Sequence, residues 1–204
     1  NDDFASLVTS VRLGRRIYAN IRHAMSYLVA VHIPIAGLGL LPIVFGWPLL
    51  FTPVLVLFVE FIIDPACAFV FEADEEATDI MRRPPRRPDE PLFSRAMLKR
   101  SALLGLAMLV LCAVVYATAL QRWPADEART LAFLTLVAAN LALIFVSRSR
   151  SESLLQTFTK PNPVYWWIVA LASGVLALVI GIPSLAAVFR FVAPPWPAVA
   201  ADRK

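Results

Sequence analysis

The sequence predicts an all-α membrane protein, a bundle of about five transmembrane helices, on three observations. Of its 204 residues, 59% are hydrophobic, with a mean hydropathy of +0.68, more apolar than a soluble domain of this size. The apolar residues gather into five runs of membrane length. The 17% that are charged fall mostly between those runs. A net charge of +4, with no basic stripe interleaved with aromatics, speaks for orientation in a bilayer and not for nucleic acid. Cys67 and Cys112 both lie inside apolar runs, which argues against a disulfide framework. The opening Asn1-Asp-Asp-Phe4 is acidic and no signal peptide starts there. There is no initiator Met, so the chain is expected to be a piece of something longer.

Residues 1–23 read as an amphipathic cytosolic helix. Phe4, Leu7, Val8, Val11, Ile17 and Ile21 fall at helical spacing, with Arg12, Arg15, Arg16 and Arg22 between them. The arginines suit lipid headgroups, and the helix is expected to run into the membrane without a break. Residues 24–197 form the membrane domain, and 198–204 a tail. The first span, 25–46, holds His32 and Pro34. A lone His in an apolar segment is either a hydrogen-bonded interior residue or a ligand, and the acids of the next span bring the ligand reading forward. Pro34 frees a carbonyl near His32. The uncharged turn Gly46-Trp-Pro-Leu-Leu50 makes spans one and two a tight hairpin.

The second span, 52–71, carries the most informative pattern. Glu60 and Asp64 stand four apart, on one helix face. Pro65 follows and clashes with the carbonyl of Phe61, so the helix should kink or unwind beside the acids. Two acids at membrane depth beside freed carbonyls form a candidate cation site, because each acid there costs a few kcal/mol. The competing reading is a pair that bonds neighbouring helices and holds the bundle together. Cys67, three residues after Asp64, could add a soft ligand, although a buried structural thiol accounts for it as well.

The segment 72–100 is the most charged of the chain. Four prolines between Asp79 and Pro91 exclude a continuous helix there. Span three is 99–120 and span four 130–147. Asn140 is the strongly polar side chain of span four, either bonded to a neighbouring helix or a weaker ligand. Span five, 164–182, opens on the interfacial aromatics Tyr165-Trp-Trp167. Residues 185–192 contain Arg190 and precede Pro194, Pro195 and Pro197, too short and broken for a sixth span. The amino-terminal segment and the loops after spans two and four hold fourteen Lys/Arg against five elsewhere. That places the amino terminus inside.

Certain residues resemble a family. Asn1-Asp-Asp-Phe-Ala-Ser-Leu-Val8, Gly14-Arg-Arg-Ile-Tyr-Ala-Asn-Ile21 and Tyr27-Leu28 look like the stretch that leaves the phosphorylation domain of P-type cation pumps and enters their fifth membrane helix. Asp79-Ile-Met-Arg-Arg-Pro-Pro-Arg86 with Glu90-Pro-Leu92 is similar to the loop after the sixth helix of calcium-pump-like members. The match is strong over residues 1–100, whereas spans three to five fit the seventh to ninth helices by length and order. By resemblance, cation ligands fall at His32 and Ile35, at Glu60, Ile63 and Asp64, and near Val137. Only Asp64 keeps the residue type usual in calcium pumps. Ile35, Ile63 and Val137 are apolar where ligands are usual, so one of two cation sites is expected to be dismantled.

The resemblance implies the cation-translocation domain of an ATP-driven pump. Glu60 and Asp64 would bind the ion and His32 would be a ligand or proton carrier. Two carboxylates suit Ca²⁺, an added imidazole moves preference toward Mn²⁺, and a buried His near acids makes H⁺ a third cargo. No phosphorylation motif occurs in the sequence, so the chain holds no catalytic residue and no cofactor of its own. ATP and Mg²⁺ belong to the missing cytosolic domains, and the partners are the lipid bilayer and the rest of the ATPase. A multi-pass protein of the plasma membrane follows. The rival reading is a non-catalytic membrane scaffold or regulatory fragment without transport.

Overall fold

The computed structural model describes residues 4–74, 76–77, 79–82, 84–85, 91–148 and 162–192, without the side chains of residues 64, 66 and 67. Among these residues the chain forms five long helices, α1 (Phe4–Phe45), α2 (Pro53–Ala73), α3 (Arg95–Leu120), α4 (Ala125–Arg148) and α5 (Pro163–Gly181), and a short α6 (Pro183–Phe189). All five long helices have the length and apolarity of a membrane span. Of the loop expected from Ser147 to Asn162, residues 149–161 lie outside the described residues, as does the tail at 198–204.

Local chemistry sets the boundaries. Thr52 and Asn162 cap α2 and α5 through their side-chain oxygens, on Leu55 N and Tyr165 N, and each is followed by a proline at the first helical position. Ser94 caps α3 in the same way on Met97 N. These caps start α3 at Arg95, four residues before the apolar run does. The turn between α1 and α2 is closed by Gly46, at φ +68°, with Trp47 N donating to Pro42 O at 2.9 Å. That conformation favours glycine.

Both α1 and α2 stay helical through Pro34, Pro42 and Pro65. Neither unwinds beside the acids. Each proline withdraws one bond from the ladder and leaves one carbonyl without its usual donor.

The helices meet on stripes of small and apolar residues. The buried face of α3 is Met97, Ser101, Gly105, Met108, Cys112, Tyr116 and Ala119, at steps of four and three. It lies on the Tyr27, Ala30, Pro34 and Leu38 face of α1, its most extensive partner. The Ser26 and Ser101 hydroxyls are 2.7 Å apart across this seam, and small residues let two backbones close up in this way. Helix α4 is the most central, with 50% of its apolar window buried against 22–33% for the others. At the hairpin end, Tyr116 donates to Pro48 O at 2.7 Å, and Arg129 donates through Nε and Nη2 to Leu49 O at 3.2 and 3.1 Å. Arg129, which hydropathy leaves just before span four, instead sits buried in the second turn of α4, also paired with Asp126.

Candidate functional site

The candidate residues start from α2. Its buried stripe is Leu55, Val59, Ile63 and Val70. Glu60 sits one position round from that stripe and is half-buried. Asp64 and Cys67 fall on the same helix, and their side chains lie outside the described residues. Among the described residues no group of three or more His, Cys, Asp and Glu is close enough to hold a metal ion.

His32 is exposed on α1, and its Nδ1 lies 2.8 Å from Leu28 O, one turn back on its own helix. The ring is thus satisfied locally through one nitrogen. The carbonyl that Pro34 deprives of a donor is that of Ala30. It faces Gly105 of α3, where a Cβ would lie 2.4 Å from the oxygen.

Ile63 of α2 and Val137 of α4, two of the three positions that the resemblance marks as lost ligands, line one small cavity with Tyr27, Val59, Asn140 and Ile144. Both are buried, and apart from Asn140 and the Tyr27 hydroxyl the lining is hydrocarbon. Asn140 is 4% exposed, and its Oδ1 has no hydrogen-bond partner among the described residues. The amide borders an apolar corner, and among the described residues no carboxylate lines it.

Two polar clusters went unread in the sequence, both at the end opposite the hairpin. The first joins α1 to the segment after α2. Arg12 pairs with Glu76 (Nε to Oε1, 2.6 Å), Arg15 Nη1 donates to Ile80 O at 2.8 Å, and Arg16 donates to Asp74 O and Glu72 O at 3.3 and 3.4 Å. The hydrogen bond from Arg12 holds the Glu76 carboxyl below the usual carboxylate range, and its charge acts in the same direction. The second centres on Asp74, which is 8% exposed. Its Oδ1 accepts from Arg148 Nε at 2.7 Å and from Asn162 Nδ2 at 3.0 Å. Asn162 standing before Pro163 was a legible cap signal, but nothing local announced its bond to Asp74.

The family model described as "Cation transporting ATPase, C-terminus" matches residues 48–201. The calcium-transporting ATPase of Bacillus subtilis is 31% identical over 201 residues, covering 95% of this chain and 22% of that protein. Calcium-transporting ATPase 1 of Lactococcus lactis is 29% identical over 160 residues, 76% of this chain and 18% of that protein. A probable calcium-transporting ATPase of Trypanosoma brucei brucei is 34% identical over 108 residues, 52% of this chain and 10% of that protein. The chain thus spans about a fifth of the length of the first two relatives.

Proposed function

The chain belongs to the cation-transporting ATPase C-terminus family, and from that premise we propose that it is the cation-translocating membrane part of an ATP-driven P-type pump. It is an integral, multi-pass membrane protein of five apolar helices. The loop-bearing end faces the cytosol, and the phosphorylation, nucleotide-binding and actuator domains with the first four helices belong to the rest of the pump. ATP and Mg²⁺ act there. The plasma membrane is its location.

One observation carries the reading of the site: Glu60 is a half-buried carboxylate in the middle of a membrane-length helix, one turn before Asp64. An acid at that depth is costly unless a cation or a partner meets it. Ca²⁺, named by the relatives, is the favoured cargo, and oxygen ligands suit it. Mn²⁺ or H⁺ requires His32 to take part through its other nitrogen. The hydrocarbon around Ile63 and Val137 favours one ion per cycle, since among the described residues the polar groups lining that cavity are the Asn140 amide and the Tyr27 hydroxyl.

The helix α1 carries the motion of the phosphorylation domain into the membrane. Its contacts through Arg12, Arg15 and Arg16 to the segment after α2 support that role, because they tie the cytosolic half of α1 to the end of the site helix.

The test is ATP hydrolysis by the full-length protein over Ca²⁺, Mn²⁺, Mg²⁺, Zn²⁺, Na⁺ and K⁺ and across pH, with and without Asp64→Asn. Stimulation by Ca²⁺ that disappears in the variant is the expected result. Activity unchanged by Asp64→Asn would make the acids structural. Activity that follows pH alone would assign H⁺.

A further inference from the structure

Asp74 is the first residue beyond the last turn of α2, with extended backbone (φ −65°, ψ 134°) that swings its side chain away from the helix axis. The carboxylate enters a pocket between the ends of α4 and α5. Arg148, in the last turn of α4, meets it at 2.7 Å, with both side chains nearly buried (8% and 11% exposed). Asn162 divides its amide between two tasks. Its Nδ2 donates to Asp74 Oδ1 at 3.0 Å and to Val70 O at 3.4 Å, both at the end of α2, while its Oδ1 accepts from Tyr165 N and caps α5. The Arg148 guanidinium also lies over the Tyr165 ring, 5.8 Å from its centroid. The backbone of Asp74 is held from the other side, where Arg16 Nε donates to its carbonyl at 3.3 Å. One residue therefore touches α1, α4 and α5 while terminating α2.

A buried ion pair is a poor source of stability, because desolvation offsets most of the attraction. Its geometry is nevertheless restrictive, since neither charge can leave without stranding the other. Ten residues separate Asp74 from Asp64 and fourteen separate it from Glu60, about 15 and 21 Å along a helix that continues through Pro65. Fixing the end of α2 therefore constrains the height and rotation of both acids.

We propose that Asp74 is a positioning residue. The clasp it forms with Arg148 and Asn162 sets Glu60 and Asp64 for cation binding from the cytosolic side, and its bond with Arg16 passes movement of α1 into α2. The proposal rests on the cation-pump reading above and adds to it a residue that contacts no ion.

The experiment measures Ca²⁺-stimulated ATP hydrolysis by the full-length protein in membrane vesicles, with the half-saturating Ca²⁺ concentration and the maximal rate read separately. Asp74→Asn and Arg148→Met should each raise the half-saturating concentration roughly tenfold, the scale of ordinary coupling between sites. The maximal rate per folded molecule should change much less. Asp74→Glu should return the concentration to within about threefold of the parent. Asn162→Ser keeps the helix cap, loses the amide bonds to Asp74 Oδ1 and to Val70 O, and should give a smaller shift in the same direction. It decides the matter if Asp74→Asn does not fold. A fall in yield with half-saturation unchanged in every folded variant would overturn the clasp as a positioning device. Asp64→Asn is run alongside: if it leaves stimulation intact, the pump-site reading fails and this proposal with it. If it abolishes stimulation while Asp74→Asn and Asn162→Ser do nothing, the clasp alone is refuted.

Discussion

The carbonyl oxygen of Ala30 faces Gly105 so closely that a Cβ on Gly105 would lie 2.4 Å from it, with Ile33 Cβ at 2.9 Å. Pro34 has no N–H to give that carbonyl. The contact therefore joins a carbonyl left free on α1 to the one position of the α3 face that has no side chain.

Gly105→Ala should destabilise the bundle, because the obstacle is backbone and β-carbon and cannot rotate away. Overpacking of this kind costs about 1–3 kcal/mol. Gly39→Ala is the control, since nothing lies within 4 Å of its added Cβ and a helical glycine replaced by alanine gains roughly 0.5–1 kcal/mol. Thermal unfolding in detergent should move the two variants in opposite directions. Gly105→Ala melting at or above the parent would rule out the close approach of α1 and α3.

At the hairpin end, Arg129 and Tyr116 both hold the turn between α1 and α2, on the adjacent carbonyls of Leu49 and Pro48. Arg129→Met leaves the Leu49 carbonyl and the Asp126 carboxylate without that donor and should cost about 1–3 kcal/mol. Tyr116→Phe removes one neutral bond and should cost about 1 kcal/mol. Because the two carbonyls belong to one turn, the double variant should lose less than the sum. Strict additivity in denaturant or thermal melts would show that the turn is not held as a unit.

The five helices were legible because a membrane span is written as an uninterrupted apolar run, and length alone separates it from a core helix. Their ends were less so. Hydropathy begins α4 at about residue 130, but the helix starts at Ala125, with Asp126 and Glu127 favourably placed in its first turn. The same error put Arg129 in a loop, since charge rules send arginine to water and its carbonyl partner lies 80 residues away. Asp74 was one acid among several for the same reason: Arg148 and Asn162 are brought to it only by tertiary structure. His32 was weighed as a partner of the acids, but within this chain it bonds Leu28 O and faces outward. Ile63 and Val137 came from resemblance alone, and the fold places them on one cavity.

Helix α6 ends on Arg190 in the left-handed region, φ 53° and ψ 39°, with Phe191 N donating to Ala186 O at 2.8 Å. That is the position where glycine is usual, and an L-residue with a Cβ is disfavoured there by about 1–2 kcal/mol. The chain accepts the strain because the next two residues anchor it: Phe191 packs on Phe133 and Val192 N donates to Thr130 Oγ1 at 3.1 Å. Arg190→Gly should therefore raise stability by about 0.5–1 kcal/mol, the conformational relief less the added entropy of the unfolded chain. Arg190→Val should lower it. Equal melting temperatures for the two variants would mean that residue 190 is free of strain.

The Arg12–Glu76 pair gives the α1 contact a definite pH dependence. The folded Glu76 carboxyl titrates below its ordinary value, first because Arg12 hydrogen-bonds it. A lowered carboxylate stabilises the fold at every pH above the usual glutamate range, about 4.3, and loses that contribution as the pH falls through the depressed value. Amides of residues 79–82 should then exchange more slowly in the parent than in Glu76→Gln at pH 7. The difference should shrink on acidification below about pH 4 and vanish when Glu76 is protonated in both states. Because the pair is solvent-accessible, about 1 M salt at pH 7 should reduce the difference as well. A difference that persists unchanged at acid pH would show that the arginine bonds to the Ile80 and Asp74 carbonyls, and not the ion pair, hold this segment against α1.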